Sequence, residues 1–149
     1  YREYFSETCM YKVVPYPGIP ELLEKLKEAG IRITVLSNKP HAQAVDVVET
    51  LFGKGYFDAV QGQTDSVPRK PSPIGANRLA ELFQAEKKDC LYIGDTATDM
   101  ETGKAAEMET AGVLWGFRDR KELEESKACH IVEKPEELFY LAAEKENNG

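Results

Sequence analysis

Apolar residues recur along this chain in two alternating rhythms. From Pro20 to Ala29, Leu22, Leu23, Leu26 and Ala29 fall at i, i+1, i+4 and i+7, the spacing of one helix face. Pro20 suits a first helical turn, and Gly30 stops the helix where a positive φ is needed. Ile31 to Leu36 is a β-branched run of strand length that ends at Ser37-Asn38. Pro40 opens a second helix carrying Ala44, Val45, Val48, Leu51 and Phe52, which Gly53 and Gly55 end. Tyr56 to Val60 predicts a short strand. Thr64 to Ser72 is polar and proline-punctuated, hence loop, and Ser72-Pro73 has the form of an N-cap and first-turn proline. Leu79, Ala80, Leu82 and Phe83 supply the face of the helix that follows, ending near Ala85.

The strand Cys90 to Ile93 is wholly apolar and stops at Gly94-Asp95, after which Met100 to Met108 reads as helix. Thr110 to Trp115 predicts another buried strand, closed by Gly116. Asp119 and Glu122 stand at the spacing of a capping box for a short helix through Glu125. Ala128 to Val132 predicts a last strand, and Pro135 opens a helix carrying Leu138, Phe139, Leu141 and Ala142. At the other end, Phe5, Cys9 and Met10 share one helical face, so a helix is expected within Tyr1 to Tyr11. Val13 to Gly18 is an extended connector, because each proline blocks helix at the residue before it. Strands alternating with helices imply βαβ units. The expected class is α/β, a doubly wound, mostly parallel Rossmann-like sheet with helices on both faces.

Composition narrows the partners. The 149 residues suit one domain with its own core. A net charge of −7 excludes a phosphate-backbone binder, which needs a cationic surface. Cys9, Cys90 and Cys129 are odd in number and scattered, the usage of reduced thiols. With no membrane-length apolar span and no basic-then-apolar leader, a cytoplasmic chain is expected, with no nucleic-acid and no membrane partner.

In a parallel sheet, chemistry gathers beyond the carboxyl ends of the strands. Those ends are Ser37-Asn38-Lys39, Gln63-Thr64-Asp65, Gly94-Asp95 and Trp115-Gly116-Phe117, with Lys70 in the loop after the third predicted strand. Hydroxyl, amide and ammonium groups suit phosphate oxygens, and the carboxylates of Asp95 and Asp99 suit Mg²⁺ held against the same phosphate. Taken singly, each has a plainer reading. Ser37-Asn38 could be a turn, Lys70 a solvated cation, and Asp95 or Thr96 a helix cap. His41 reads as a solvated helix start, His130 as a strand edge, and Lys121 to Lys127 as a solvated helix face.

Together, the ordered set Ile33-Thr34-Val35-Leu36-Ser37-Asn38, Arg69-Lys70-Pro71 and Ile93-Gly94-Asp95-Thr96-Ala97-Thr98-Asp99-Met100 resembles the second, third and fourth motifs of the haloacid dehalogenase (HAD) superfamily of phosphohydrolases. Tyr16-Pro17-Gly18 and Gly112 to Arg118 are similar to its phosphoglycolate phosphatase-like branch. The resemblance runs from about Tyr11 to Leu138. It implies a Mg²⁺-dependent phosphatase acting on a small phosphorylated metabolite through an aspartyl-phosphate. Ser37 and Lys70 are the implied catalytic residues. Ser37, Asn38 and Lys70 would bind phosphate, and Asp95 and Asp99 would hold Mg²⁺, Asp99 directly or through water.

The family's first motif, Asp-x-Asp-Gly-Thr, has no counterpart here: no two of Asp46, Asp58, Asp65, Asp89, Asp95, Asp99 and Asp119 are separated by one residue. The expectation is therefore a remnant of a helical cap and linker over 1–15 and a core over 16–149 that lacks its first, central strand. Alone, such a chain is expected to be inactive. Tyr11 to Val14, a strand swapped from a second copy, or a separate N-terminal fragment would fill the gap. Two rivals remain. A signalling receiver domain places its acidic pair on the first strand, whereas here the pair follows the lysine. A non-catalytic interaction domain would keep the fold alone.

Overall fold

In the computed structural model the backbone of residues 2–5, 10–11, 14–15, 18–114 and 120–148 is described, and the side chains of 18–114 and 120–141. Eight strands stand among these residues: β1 (Arg2–Phe5), β2 (Met10–Tyr11), β3 (Val14–Pro15), β4 (Arg32–Pro40), β5 (Ala59–Gln63), β6 (Cys90–Gly94), β7 (Glu109–Val113) and β8 (His130–Val132). Six of them form one sheet in the order β5-β4-β1-β6-β7-β8. Every neighbouring pair in it is parallel. β2 and β3 form a separate antiparallel pair, Tyr11 opposite Val14.

The N-terminal stretch departs from expectation. Instead of a helix within Tyr1 to Tyr11, residues 2–5 form a strand, and it lies in the central position between β4 and β6. The central slot, expected to be filled by Tyr11 to Val14, a swapped strand or a separate fragment, is instead filled by Arg2–Phe5 of the chain itself, and Tyr11 and Val14 pair with each other. The physical reason lies in the neighbours. β4 and β6 each present a row of backbone donors and acceptors that an extended segment satisfies and a helix cannot.

Helices cover both faces of the sheet. α1 (Ile19–Glu28), α2 (His41–Phe52) and α6 (Pro135–Asn148) lie over the face that carries Ile33, Val35, Leu91, Ile93, Ala111 and Val113. α3 (Ile74–Leu82) and α4 (Ala97–Ala105) lie over Leu36, Cys90 and Tyr92, and α5 (Arg120–Glu125) presses Leu123 onto Gly112 on that same side. The alternation along β6, with Leu91 and Ile93 to one face and Cys90 and Tyr92 to the other, is the period of two that strands impose. Burial of Leu23, Leu26, Ile33, Leu91 and Ile93 to 0% exposure contributes about 1.5–3 kcal/mol each.

Element bounds shift modestly. The strand expected from Tyr56 begins at Ala59, because Phe57 is spent on the core beside Phe52. Ser72 does not cap α3. Pro73 is its N-cap residue, and Ser72 Oγ accepts the Ile74 N–H at 3.3 Å. Residues 115–119, including Trp115-Gly116-Phe117 and Asp119, lie outside the described residues. No helix among the described residues is long and apolar enough to cross a membrane.

Candidate active site

Strand register sets the frame of the site. Val35 on β4 and Ile93 on β6 both stand opposite Phe5 on β1, so Ser37 and Asp95, each two residues further on, reach the same level on either side of β1. Two strand spacings separate them, about 10 Å. Both are buried, at 5% and 7% exposure, where a hydroxyl and a carboxylate have no reason to be unless something polar meets them.

Lys70 arrives from the loop after β5 and is held twice. Its backbone N–H donates to Asn38 Oδ1 at 2.7 Å, and its ammonium donates to Asp99 Oδ1 at 2.9 Å. The Lys70 and Asp99 side chains are 9% and 4% exposed, so this is a desolvated pair. Asn38 therefore spends its amide oxygen on placing the Lys70 loop. Ser37 Oγ accepts the Lys39 N–H at 3.1 Å, within the last part of β4 where its pairing with β5 shifts register.

Asp99 organises the loop after β6 from inside. Its Oδ2 accepts the Asp95 N–H at 3.2 Å and the Thr96 hydroxyl at 3.1 Å, while its own N–H donates back to Thr96 Oγ1 at 3.1 Å. That is a reciprocal cap with Thr96 at the N-cap of α4. Gly94 is required for it: a Cβ there would lie 2.2 Å from Asp99 Cβ. Two donors saturate Oδ2, so Asp99 keeps only part of Oδ1 for any cation besides Lys70. Asp99 thereby holds both the Asp95 amide and the Lys70 ammonium in place.

Two residues read as solvated in sequence turn out to have structural partners. His41 Nδ1 accepts the Gly62 N–H at 3.0 Å, and a Cβ at Gly62 would lie 2.6 Å from His41 Cα, so the end of β5 rests on the turn beyond Ser37. Glu122 reaches beyond its own helix, while Asp119, its expected partner in a capping box, lies outside the described residues. Its Oε2 accepts the Ala97 N–H of α4 at 2.8 Å. No local signal could reveal either pair, because the partners are 21 and 25 residues apart in sequence. Elsewhere His130 sits on β8 as expected, 3.3 Å from Glu109. Beneath the loop, Tyr92 is 1% exposed and its hydroxyl has no hydrogen-bond partner among the described residues. Burial first, and then the charge of Asp99, hold its pKa well above the usual tyrosine range.

The donors at this tip are hard oxygens, which suit Mg²⁺ in kind. They are too few for a closed cage: among the described residues no three His, Cys, Asp or Glu side chains group closely enough to hold an ion. The fit is that of a partial site, in which Asp95 would contribute one ligand and phosphate or water would complete the shell.

Comparison with known proteins identifies the family. Residues 1–113 match the family of haloacid dehalogenase-like hydrolases. The chain is 36% identical over 117 residues to a phosphoglycolate phosphatase of Aquifex aeolicus, covering 78% of this chain and 55% of that protein. It is 30% identical to the phosphoglycolate phosphatase of Mesorhizobium japonicum, covering 80% of this chain and 53% of that one. The chain thus spans about half the length of these curated relatives. Among solved structures, a candidate phosphoglycolate phosphatase from Lactobacillus delbrueckii subsp. bulgaricus superposes with a TM-score of 0.82 at 34% identity, covering 86% of this chain and 53% of that one. The chain belongs to the haloacid dehalogenase-like hydrolase family and is similar to its phosphoglycolate phosphatases.

Proposed function

We propose that this chain carries the phosphate-binding and metal-binding part of a Mg²⁺-dependent phosphatase that hydrolyses a small phosphomonoester, of which phosphoglycolate is the type. The observation that supports it is the meeting of Ser37 of β4, Lys70 of the loop after β5, and Asp95 and Asp99 beyond β6 at one end of the sheet, with Lys70 and Asp99 in direct contact. The Ser37 hydroxyl would donate to a phosphoryl oxygen, and the Lys70 ammonium would neutralise the charge that develops on the phosphoryl group. Asp95 would hold Mg²⁺, with Asp99 behind it. When bound, the ion would supply charge neutralisation at the phosphoryl oxygens.

The reaction also needs a carboxylate that attacks phosphorus as the P–O bond to the leaving alkoxide breaks, an acid to protonate that alkoxide, and water to release phosphate from the aspartyl-phosphate. The first aspartate in the sequence is Asp46, so no aspartate follows β1 at the tip between Ser37 and Asp95. The nucleophile in this reading comes from outside the chain. That same gap supports a second reading, a non-catalytic interaction domain.

Two measurements separate these readings. The isolated chain is expected to hydrolyse p-nitrophenyl phosphate with Mg²⁺ no faster than buffer. Turnover that Asp95→Asn abolishes would instead show a nucleophile within it. Mg²⁺ with a phosphate analogue is expected to raise the melting temperature of the wild-type chain and not of Asp95→Asn. An unchanged wild-type melting temperature would favour the interaction domain.

A further inference from the structure

We infer that Glu122 is a positioning residue for the Asp95 loop, acting on it from a different element; the inference rests on the reading of Asp95 as a Mg²⁺ ligand. The first turn of α4 follows Asp95 directly, and side-chain oxygens claim its exposed amides one by one. Asp95 N–H goes to Asp99 Oδ2, Asp99 N–H to Thr96 Oγ1, and Ala97 N–H to Glu122 Oε2 at 2.8 Å. The first two acceptors belong to the loop and move with it. Glu122 does not, and it ties the loop to the far side of β7.

That tie is useful only if Glu122 is itself fixed, and the structure shows how it is. α5 has six residues, too few to be stable as an isolated helix. Leu123, the next residue, is 0% exposed, and a Cβ at Gly112 would lie 2.8 Å from its Cδ2, so α5 seats directly on the backbone of β7. At the other end of α5, Ser126 Oγ donates to the Glu122 and Leu123 carbonyls at 2.9 and 3.1 Å, and Lys104 of α4 donates to the Ser126 carbonyl. α4 and α5 are therefore pinned at both ends, and the Glu122 carboxylate is delivered from a locked backbone.

Two chemical consequences follow. With Thr96, Asp99 and Glu122 accepting from three amides here, the positive end of α4 has fewer donors left for phosphate. That favours phosphate on the Ser37 and Lys70 side and a cation on the Asp95 side. A Glu122 that lets go would free the Ala97 amide and loosen the loop that aims Asp95. Outer partners of this kind, when lost, typically lower metal affinity about tenfold or more.

Two conservative variants separate reach from charge. Glu122→Gln keeps an oxygen at the same reach without the charge, and Glu122→Asp keeps the charge one methylene short of Ala97. Mg²⁺ titrations of the whole chain, followed by the amide resonances of Asp95 and Thr96, are read beside the exchange rate of the Ala97 amide. Glu122→Gln should bind Mg²⁺ and protect Ala97 as the wild type does. Glu122→Asp should bind about tenfold more weakly and exchange Ala97 faster. Equal Mg²⁺ binding by wild type and Glu122→Asp overturns the inference. So does weakening by Glu122→Gln that Glu122→Asp does not share, since that pattern reports charge alone. A wild-type chain that does not respond to Mg²⁺ overturns the metal reading itself, and this inference with it.

Discussion

The backbone N–H of Lys70 donates to Asn38 Oδ1 at 2.7 Å, joining a loop to the end of β4, 32 residues away. The placement of the lysine is therefore decided by a residue near the end of β4. Asn38→Ala would leave that amide without its acceptor at a half-buried position, a loss of about 1–3 kcal/mol. Urea unfolding should show it as a lower midpoint with an unchanged slope. Asn38→Asp keeps the acceptor and should retain most of the stability.

Lys70 and Asp99 form a pair that is nearly free of solvent. Lys70→Met would strand a buried carboxylate that still has the Asp95 and Thr96 donors, and breaking such a pair typically costs about 3–5 kcal/mol. Adding Asp99→Asn to Lys70→Met removes the stranded charge and should recover part of the loss. A double-mutant cycle in urea measures that coupling. Strictly additive effects would mean that the two side chains do not interact in solution.

Gly94 has no room for a methyl group, since its added Cβ would lie 2.2 Å from Asp99 Cβ and 2.5 Å from Asp99 Cγ. Gly94→Ala must push Asp99 away or distort the end of β6, at a cost of about 1–3 kcal/mol. Gly30→Ala is a useful contrast. It meets nothing within 4 Å, but its φ of 78° strains any side chain. The Gly94 variant alone should also lose its response to Mg²⁺.

Alkaline pH should weaken the fold through Tyr56. Burial first, then its hydrogen bond to Glu24 at 3.0 Å and the charge of Glu24, push the Tyr56 pKa from 10.0 up to about 12. The folded state thus keeps a proton that the unfolded state releases. The contribution is whole below pH 10.0 and is lost as the pH rises towards about 12. Tyr56→Phe should show a shallower fall in urea midpoint across that window. Tyr92 carries a shift of the same sign and leaves some slope in both proteins.

Much of the architecture is legible in the residues because it depends on near neighbours. Leu22, Leu23 and Leu26 mark the face of α1, and Cys90 to Ile93 marks a strand covered on both sides, since periodicity and burial are local patterns. The order of Ser37, Lys70 and Asp95 is likewise written in the chain, because strand ends gather at one edge of a parallel sheet. The N-terminal stretch reads wrongly for a physical reason. Phe5, Cys9 and Met10 satisfy a helical spacing, yet residues 2–5 are drawn into the sheet by the backbone groups of β4 and β6, which composition does not record.

By itself, the sequence determined that alternating strands and helices would form a parallel sheet with a hydroxyl, an ammonium and two carboxylates at its tips. Only the tertiary structure decided how those groups divide their work. Asn38 turned to the Lys70 backbone, Asp99 to Lys70 and the Asp95 amide, and Glu122 to Ala97. The reason is that a hydrogen bond is satisfied by whichever partner packing brings within 3 Å or so, and packing depends on contacts that sequence spacing does not encode.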